Sequence, residues 1–194
     1  MKTQMRFQKI LALVSLIISA LCIVLAVVFM SGNLADIMYY AVDYEETVGS
    51  FTTPAQLFCN VMLIMGIVYL CCVLTLYITD TNKRRNYYIT NYISTGLAAL
   101  GALVAALFGF IMISILVTKF YALDWEEISA LYEAEQGMGG PNVGTSPAMF
   151  IVGYIILIFP LLDVAALILN LVWKIKLMKG EKALLEQGFV KEVA

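Results

Sequence analysis

The sequence predicts an all-α integral membrane protein: a four-transmembrane-helix bundle, N-in/C-in, formed by a single membrane domain over residues 1–194. Three observations predict it. The chain is 62% hydrophobic and 13% charged, where soluble domains are about half apolar and about a quarter charged. A soluble fold of 194 residues could not hide that much apolar surface, because small domains leave much of their surface exposed. Four stretches of roughly 20 apolar residues match a bilayer core of about 30 Å. Basic and acidic residues, finally, occupy alternate connecting segments.

The first span is Ile10–Met30. Lys2, Arg6 and Lys9 precede it, as in a signal peptide, but the apolar run is too long and no small-x-small cleavage pattern follows; a retained helix is expected. The second, third and fourth spans are Leu57–Tyr77, Ile93–Val117 and Met149–Trp173. Basic residues lie before the first span, between the second and third (Lys83, Arg84, Arg85), and after the fourth (Lys174, Lys176, Lys179, Lys182, Lys191). Lys119 alone lies in the other two loops, which carry Asp36, Asp43, Glu45 and Glu46, then Asp124, Glu126, Glu127, Glu133 and Glu135. The positive-inside rule therefore puts both termini in the cytoplasm. Lys174, Lys176 and Lys179 are expected to favour anionic lipid. Tyr39, Tyr40, Tyr44, Phe120, Tyr121 and Trp125 would form the outer aromatic belt, and Tyr77, Tyr87, Tyr88, Tyr92 and Trp173 the inner one.

The chain also reads as a tandem duplication of a two-helix hairpin. Tyr40–Glu46 (YAVDYEE) returns as Tyr121–Glu127 (YALDWEE), and Thr53-Pro54-Ala55 returns as Ser146-Pro147-Ala148 ahead of the next span. The first repeat is 1–85, with spans 10–30 and 57–77. The second is 86–180, with spans 93–117 and 149–173, and a short cytoplasmic tail 181–194 follows. Each copy holds two spans, so the copies would share one orientation and be related by a pseudo-two-fold axis along the membrane normal, unlike the inverted repeats of many transporters.

Both acidic echoes contain Asp-x-x-Glu: Asp43 with Glu46, and Asp124 with Glu127. That spacing suits a helix N-cap. In the second copy Trp125, Ile128, Leu131 and Tyr132 share a helical face and Gly137 stands where a C-terminal glycine belongs. Asp124–Gln136 is thus expected to be a short amphipathic helix on the outer membrane surface, with a shorter turn in the first copy. The competing reading makes the two clusters a weak cation site. Calcium, however, wants six to eight oxygens in a shaped cage, and neither loop has that pattern.

The third span carries Gly101, Ala105 and Gly109 at spacing four, a helix-packing face. The fourth carries Pro160, Asp163 and Asn170. An intramembrane carboxylate is a functional candidate by default, and no Lys, Arg or His lies in any span to pair with Asp163. Asn60, Tyr69, Thr75, Ser15, Ser19 and Ser94 are its expected internal partners. The roles weighed for it are structural hydrogen bonding, a partner helix, and a proton or cation site. Cys22, Cys59, Cys71 and Cys72 all lie in apolar runs and are expected to be buried small residues, not disulfides.

Histidine is absent, which removes the commonest general base and metal ligand. No Ser-His-Asp or Cys-His set can form, and no phosphate-binding glycine loop or metal-ligand spacing is present. The expectation is a non-enzyme without metal or cofactor and without nucleic-acid binding. Its partners would be the lipid bilayer and another membrane protein or a second copy of itself. The leading reading is an accessory or structural subunit of a membrane complex in the plasma membrane, in a chain whose lack of histidine and of glycosylation sequons points to bacteria. The alternative is a small transporter or channel component handling protons or cations through Asp163 and the acidic outer loops. A polar seam on several spans would favour transport; the sequence shows one only on the fourth.

Overall fold

The computed structural model describes residues 1–32, 35–37, 45–137 and 143–186. Its helices are α1 (Lys2–Ser31), α2 (Glu45–Thr79), α3 (Lys83–Asn86), α4 (Ile89–Tyr121), α5 (Trp125–Gln136) and α6 (Ser146–Glu186), with no strand among the described residues. Helices α1, α2, α4 and α6 are each long and apolar enough to cross a membrane. With no water in the hydrocarbon to satisfy backbone groups, a continuous helix is the form such segments must take.

The four long helices form a ring in the order α1, α2, α4, α6, in which each packs on its two ring neighbours. Helices α1 and α4 therefore lie on one diagonal, α2 and α6 on the other. Each buries one seam. On α1 it includes Gln4, Gln8, Leu11, Ser15, Ile18, Cys22, Leu25 and Phe29. On α6 it runs through Phe150, Gly153, Leu157, Pro160, Asp163, Leu167, Asn170 and Lys174. Steps of three and four residues are the mark of left-handed packing at a small crossing angle. Outside the seams the helices present exposed Ile10, Ile17, Ile64, Ile111, Ile151 and Leu169, a surface suited to lipid.

Small residues set the close approaches. A Cβ built at Gly66 would lie 2.8 Å from Ile23, one at Gly109 would lie 2.5 Å from Leu157, and one at Gly153 would lie 2.6 Å from Ile113. A Cβ at Gly101 would lie 3.5 Å from Tyr69, an ordinary contact, and Ala105 is wholly buried. The stripe Gly101–Ala105–Gly109 thus packs inside this bundle, against α2 and α6.

The half of the bundle away from the termini is filled by rings. Phe29 meets Phe58 at 5.0 Å, Phe120 meets Phe150 at 5.5 Å, and Trp125 lies 5.0 Å from Phe120 and 6.1 Å from Phe51. Phe120 and Trp125, expected in an interfacial belt, turn inward instead, and the Trp125 indole donates to the Phe120 carbonyl at 2.9 Å. Tyr121 is exposed. Helix α5 takes the expected form. Asp124 caps it, accepting from the backbone N–H groups of Glu126 and Glu127 at 3.1 and 3.2 Å, and Gly137 ends it at φ 65°. Ile128 and Tyr132 are buried while Leu131 stays exposed, so the helix docks on the end of the bundle and does not simply float on lipid.

Other expectations need correcting. Residues 40–44 of the first acidic echo, Asp43 among them, lie outside the described residues. Glu46 belongs to the first turn of α2, which runs unbroken through Pro54. Pro54 therefore lies inside its helix, whereas Pro147 stands in the first turn of α6, where no backbone N–H is needed. Residues 181–186 continue α6, and the rest of the tail, 187–194, lies outside the described residues. Of the cysteines, Cys22 and Cys59 are buried but Cys71 is exposed and Cys72 half-buried, because they fall on the outward face of α2.

Candidate functional site: a buried polar core

Buried polar side chains occupy the seams in the half of the bundle that carries the N-terminus. The deeper of two layers centres on Asp163, which is 2% exposed. Ser15 of α1 donates to its Oδ1 at 2.8 Å, and the Tyr69 hydroxyl of α2 donates to its Oδ2 in a short hydrogen bond. Of the partners expected from sequence, Tyr69 and Ser15 reach it. Ser19 bonds the Leu16 carbonyl, Thr75 the Cys71 carbonyl and Ser94 the Thr90 carbonyl, each within its own helix. Both carboxylate oxygens of Asp163 are thus engaged inside the bundle.

The second layer lies two turns further along α6, about 10 Å away, and joins all four long helices, with amide side chains from α1, α4 and α6 and a hydroxyl from α2. Asn170 accepts from Gln4 at 2.8 Å and donates to Gln8 at 2.9 Å. Gln8 donates to Asn91 of α4 at 2.9 Å. The Asn91 amide reaches back to Thr79 of α2 at 2.8 Å. Gln4 also accepts from Asn86 and from the Tyr87 hydroxyl, at 3.0 and 2.9 Å. These linked amides specify how the helix ends meet, since each broken link would strand a buried polar group; only the Asn86 side-chain oxygen among them is left without a partner.

Two charged side chains complete the layer, and neither was expected from the sequence to be buried. Lys174, expected to favour anionic lipid, is wholly buried. Its ammonium donates to Asn91 Oδ1 and sits 4.5 Å from the Tyr92 ring and 5.9 Å from the Tyr87 ring, which compensates part of its lost hydration. Asp80, just past the end of α2, is also wholly buried, and neither carboxylate oxygen has a hydrogen-bond partner. Burial pushes its carboxyl up to about 6, with the charges of Lys9 and Lys174 pulling the other way. Burial likewise pushes the Tyr87 phenol up to about 12, with nearby Tyr92, Glu181 and Asp80 adding to it.

The polar seam is therefore not confined to the fourth span, as the sequence reading had it. Gln4, Gln8 and Ser15 stand on α1, Tyr69 on α2, Asn91 and Thr95 on α4, and Asp163, Asn170 and Lys174 on α6, all buried. Periodicity was the missed signal: Asn170 and Lys174 continue the three-and-four spacing of Asp163 and Leu167, which places Lys174 on the inward seam. Of the two acidic clusters weighed as a weak cation site, Asp43 and the side chain of Glu46 lie outside the described residues. The Asp124 carboxylate is used in capping, and no group of three or more His, Cys, Asp or Glu comes together among the described residues. Comparison with protein-family models, curated proteins and solved structures finds no match to this chain.

Proposed function

We propose that this chain is a non-enzymatic, multi-pass plasma-membrane protein that serves as a structural or accessory subunit of a membrane complex. The observation that carries the reading is the occupancy of Asp163. Ser15 and Tyr69 of the same chain take both its carboxylate oxygens, so the one carboxylate deep in the spans is used to hold helices together. Rings pack the other half of the bundle, and a core filled in this way suits a scaffold better than a conduit. The partner would be a second membrane protein or a second copy, met through the outward faces or through α5.

The orientation we propose has both termini in the cytoplasm. It is supported by the basic residues grouped at the end of the bundle where α1 begins, against acidic Glu126 and Glu127 at the start of α5. The tandem duplication is supported by the ring order, since a two-fold rotation about the bundle axis would exchange α1 with α4 and α2 with α6. Thiol labelling tests the orientation: in a cysteine-free background, a cysteine at Ser50 should react with an impermeant reagent from outside, and one at Asn82 should not.

A second reading, proton or cation handling, draws support from the polar seam on all four long helices and from the unpartnered Asp80. One pair of measurements separates the two. Purification in mild detergent should recover a stoichiometric larger membrane protein or a defined oligomer, unchanged by Asp163→Asn. Proton or cation flux in proteoliposomes that is abolished by Asp163→Asn would overturn the scaffold reading.

A further inference from the structure

The short connection between α2 and α4 holds an open cavity of about 430 Å³, lined by Asn82, Arg84, Arg85 and Tyr88. We propose that it binds the phosphate of an anionic phospholipid headgroup at the membrane surface. The inference goes beyond the scaffold reading and does not depend on it. Three observations carry it.

The first is charge without a partner. Lys83 is paired with Glu181 at 2.8 Å, but among the described residues no carboxylate lies within ion-pair distance of Arg84 or Arg85. Both guanidinium-bearing residues are exposed. Neighbouring Lys174 is buried and already engaged, so it cannot serve an external anion. Guanidinium is the side-chain group best matched to phosphate oxygens, because its donors are planar and forked.

The second is depth. The apolar span of α4 begins at Ile89, the residue after Tyr88. Tyr88 is 60% exposed and Ile89 is 64% exposed, so an aromatic ring and a branched alkyl chain face outward directly beside the two arginines. Tyrosine in that place belongs at headgroup level. A lipid bound with its phosphate on the arginines would lay its acyl chains along this apolar face, which a water-soluble anion would leave unused.

The third is preorganisation. Asn82 accepts from the Arg85 backbone N–H at 2.9 Å and caps α3. Asn86, the last residue of α3, is buried and bonded to Gln4. The turn carrying both arginines is therefore pinned to the polar core beneath it and holds the cavity open without a ligand.

The test uses the full chain in neutral detergent micelles, with short-chain phosphatidylglycerol as the probe and thermal unfolding as the readout. Phosphatidylglycerol should raise the midpoint saturably, while phosphatidylcholine and inorganic phosphate should not. Each basic residue at an anionic surface contributes about a five-fold factor, so Arg84→Gln with Arg85→Gln should raise the half-saturating concentration about 30-fold. Both side chains are exposed, so the variant should fold. Arg84→Lys with Arg85→Lys keeps the charge and loses the fork, and should fall between it and wild type. Lys119→Gln, exposed at the opposite end of the bundle, should bind as wild type does. An equal shift from phosphatidylcholine or from inorganic phosphate, or unchanged binding in both arginine variants, would overturn the proposal.

Discussion

Lys174 of α6 places its ammonium inside the bundle and donates it to Asn91 of α4, on the helix beside it in the ring. Asn91 is the junction of the polar core: its oxygen accepts from Lys174 and Gln8, and its amide donates to Thr79. The two residues should respond differently to substitution. Asn91→Leu leaves a buried cation and two further polar groups short of a partner, and should cost about 3–5 kcal/mol. Lys174→Met removes the cation itself and keeps the volume, while Asn91 still accepts from Gln8, so it should be neutral or stabilising. Chemical unfolding in micelles reads both; an equal loss in the two variants would count against the junction role.

Asp163 tests whether the deeper layer depends on polarity or on charge. Asp163→Asn keeps an acceptor and similar size, and should unfold close to wild type. Asp163→Leu removes the carboxylate acceptor of the Tyr69 hydroxyl and leaves it only Ser15 as a polar neighbour, while Ser15 retains its bond to the Leu11 carbonyl. That cost should be about 1–3 kcal/mol, and adding Tyr69→Phe should recover most of it.

The pH dependence follows from Asp80. Its carboxyl is raised from 3.8 to about 6 in the folded chain, so the folded state binds a proton where the unfolded state has released it. For a raised acid, the contribution to stability is fully present below the unfolded value and is lost as pH rises through the folded one. Asp80→Asn does not titrate. The midpoint of the wild type relative to Asp80→Asn should therefore improve as pH falls from 7 to 4, with most of the change between about 6 and 4. A flat difference across that interval, or one of opposite sign, would show that the carboxylate is satisfied when ionised.

The Asp124 cap is local and should act locally. Asp124→Ala removes the acceptor for two backbone N–H groups and should cost about 0.5–2 kcal/mol of helix stability. Hydrogen exchange should quicken at the amides of Glu126 and Glu127 and through the first turn of α5. The amides of α4 and α6 should keep their protection.

Much of the fold was legible in the sequence because the governing constraints are one-dimensional. Bilayer thickness selects apolar runs, and the backbone in hydrocarbon must be helical, so the four long helices follow from composition along the chain. Helix α5 was equally readable, since Asp124 and Gly137 act on their own neighbours. The polar core was not. Gln4 and Asn170 are 166 positions apart, and Ser15 and Asp163 are 148 apart; no local rule pairs them. Lys174 and Asp80 look like ordinary flanking charges until the ring order and the rotation of each helix turn them inward. Those two quantities depend on where Gly66, Gly109 and Gly153 let helices approach, and on which seams interlock. The sequence by itself determined which segments are apolar helices and where charge gathers. Tertiary packing alone decided which polar groups meet, because hydrogen bonding between helices is a property of neighbours in space.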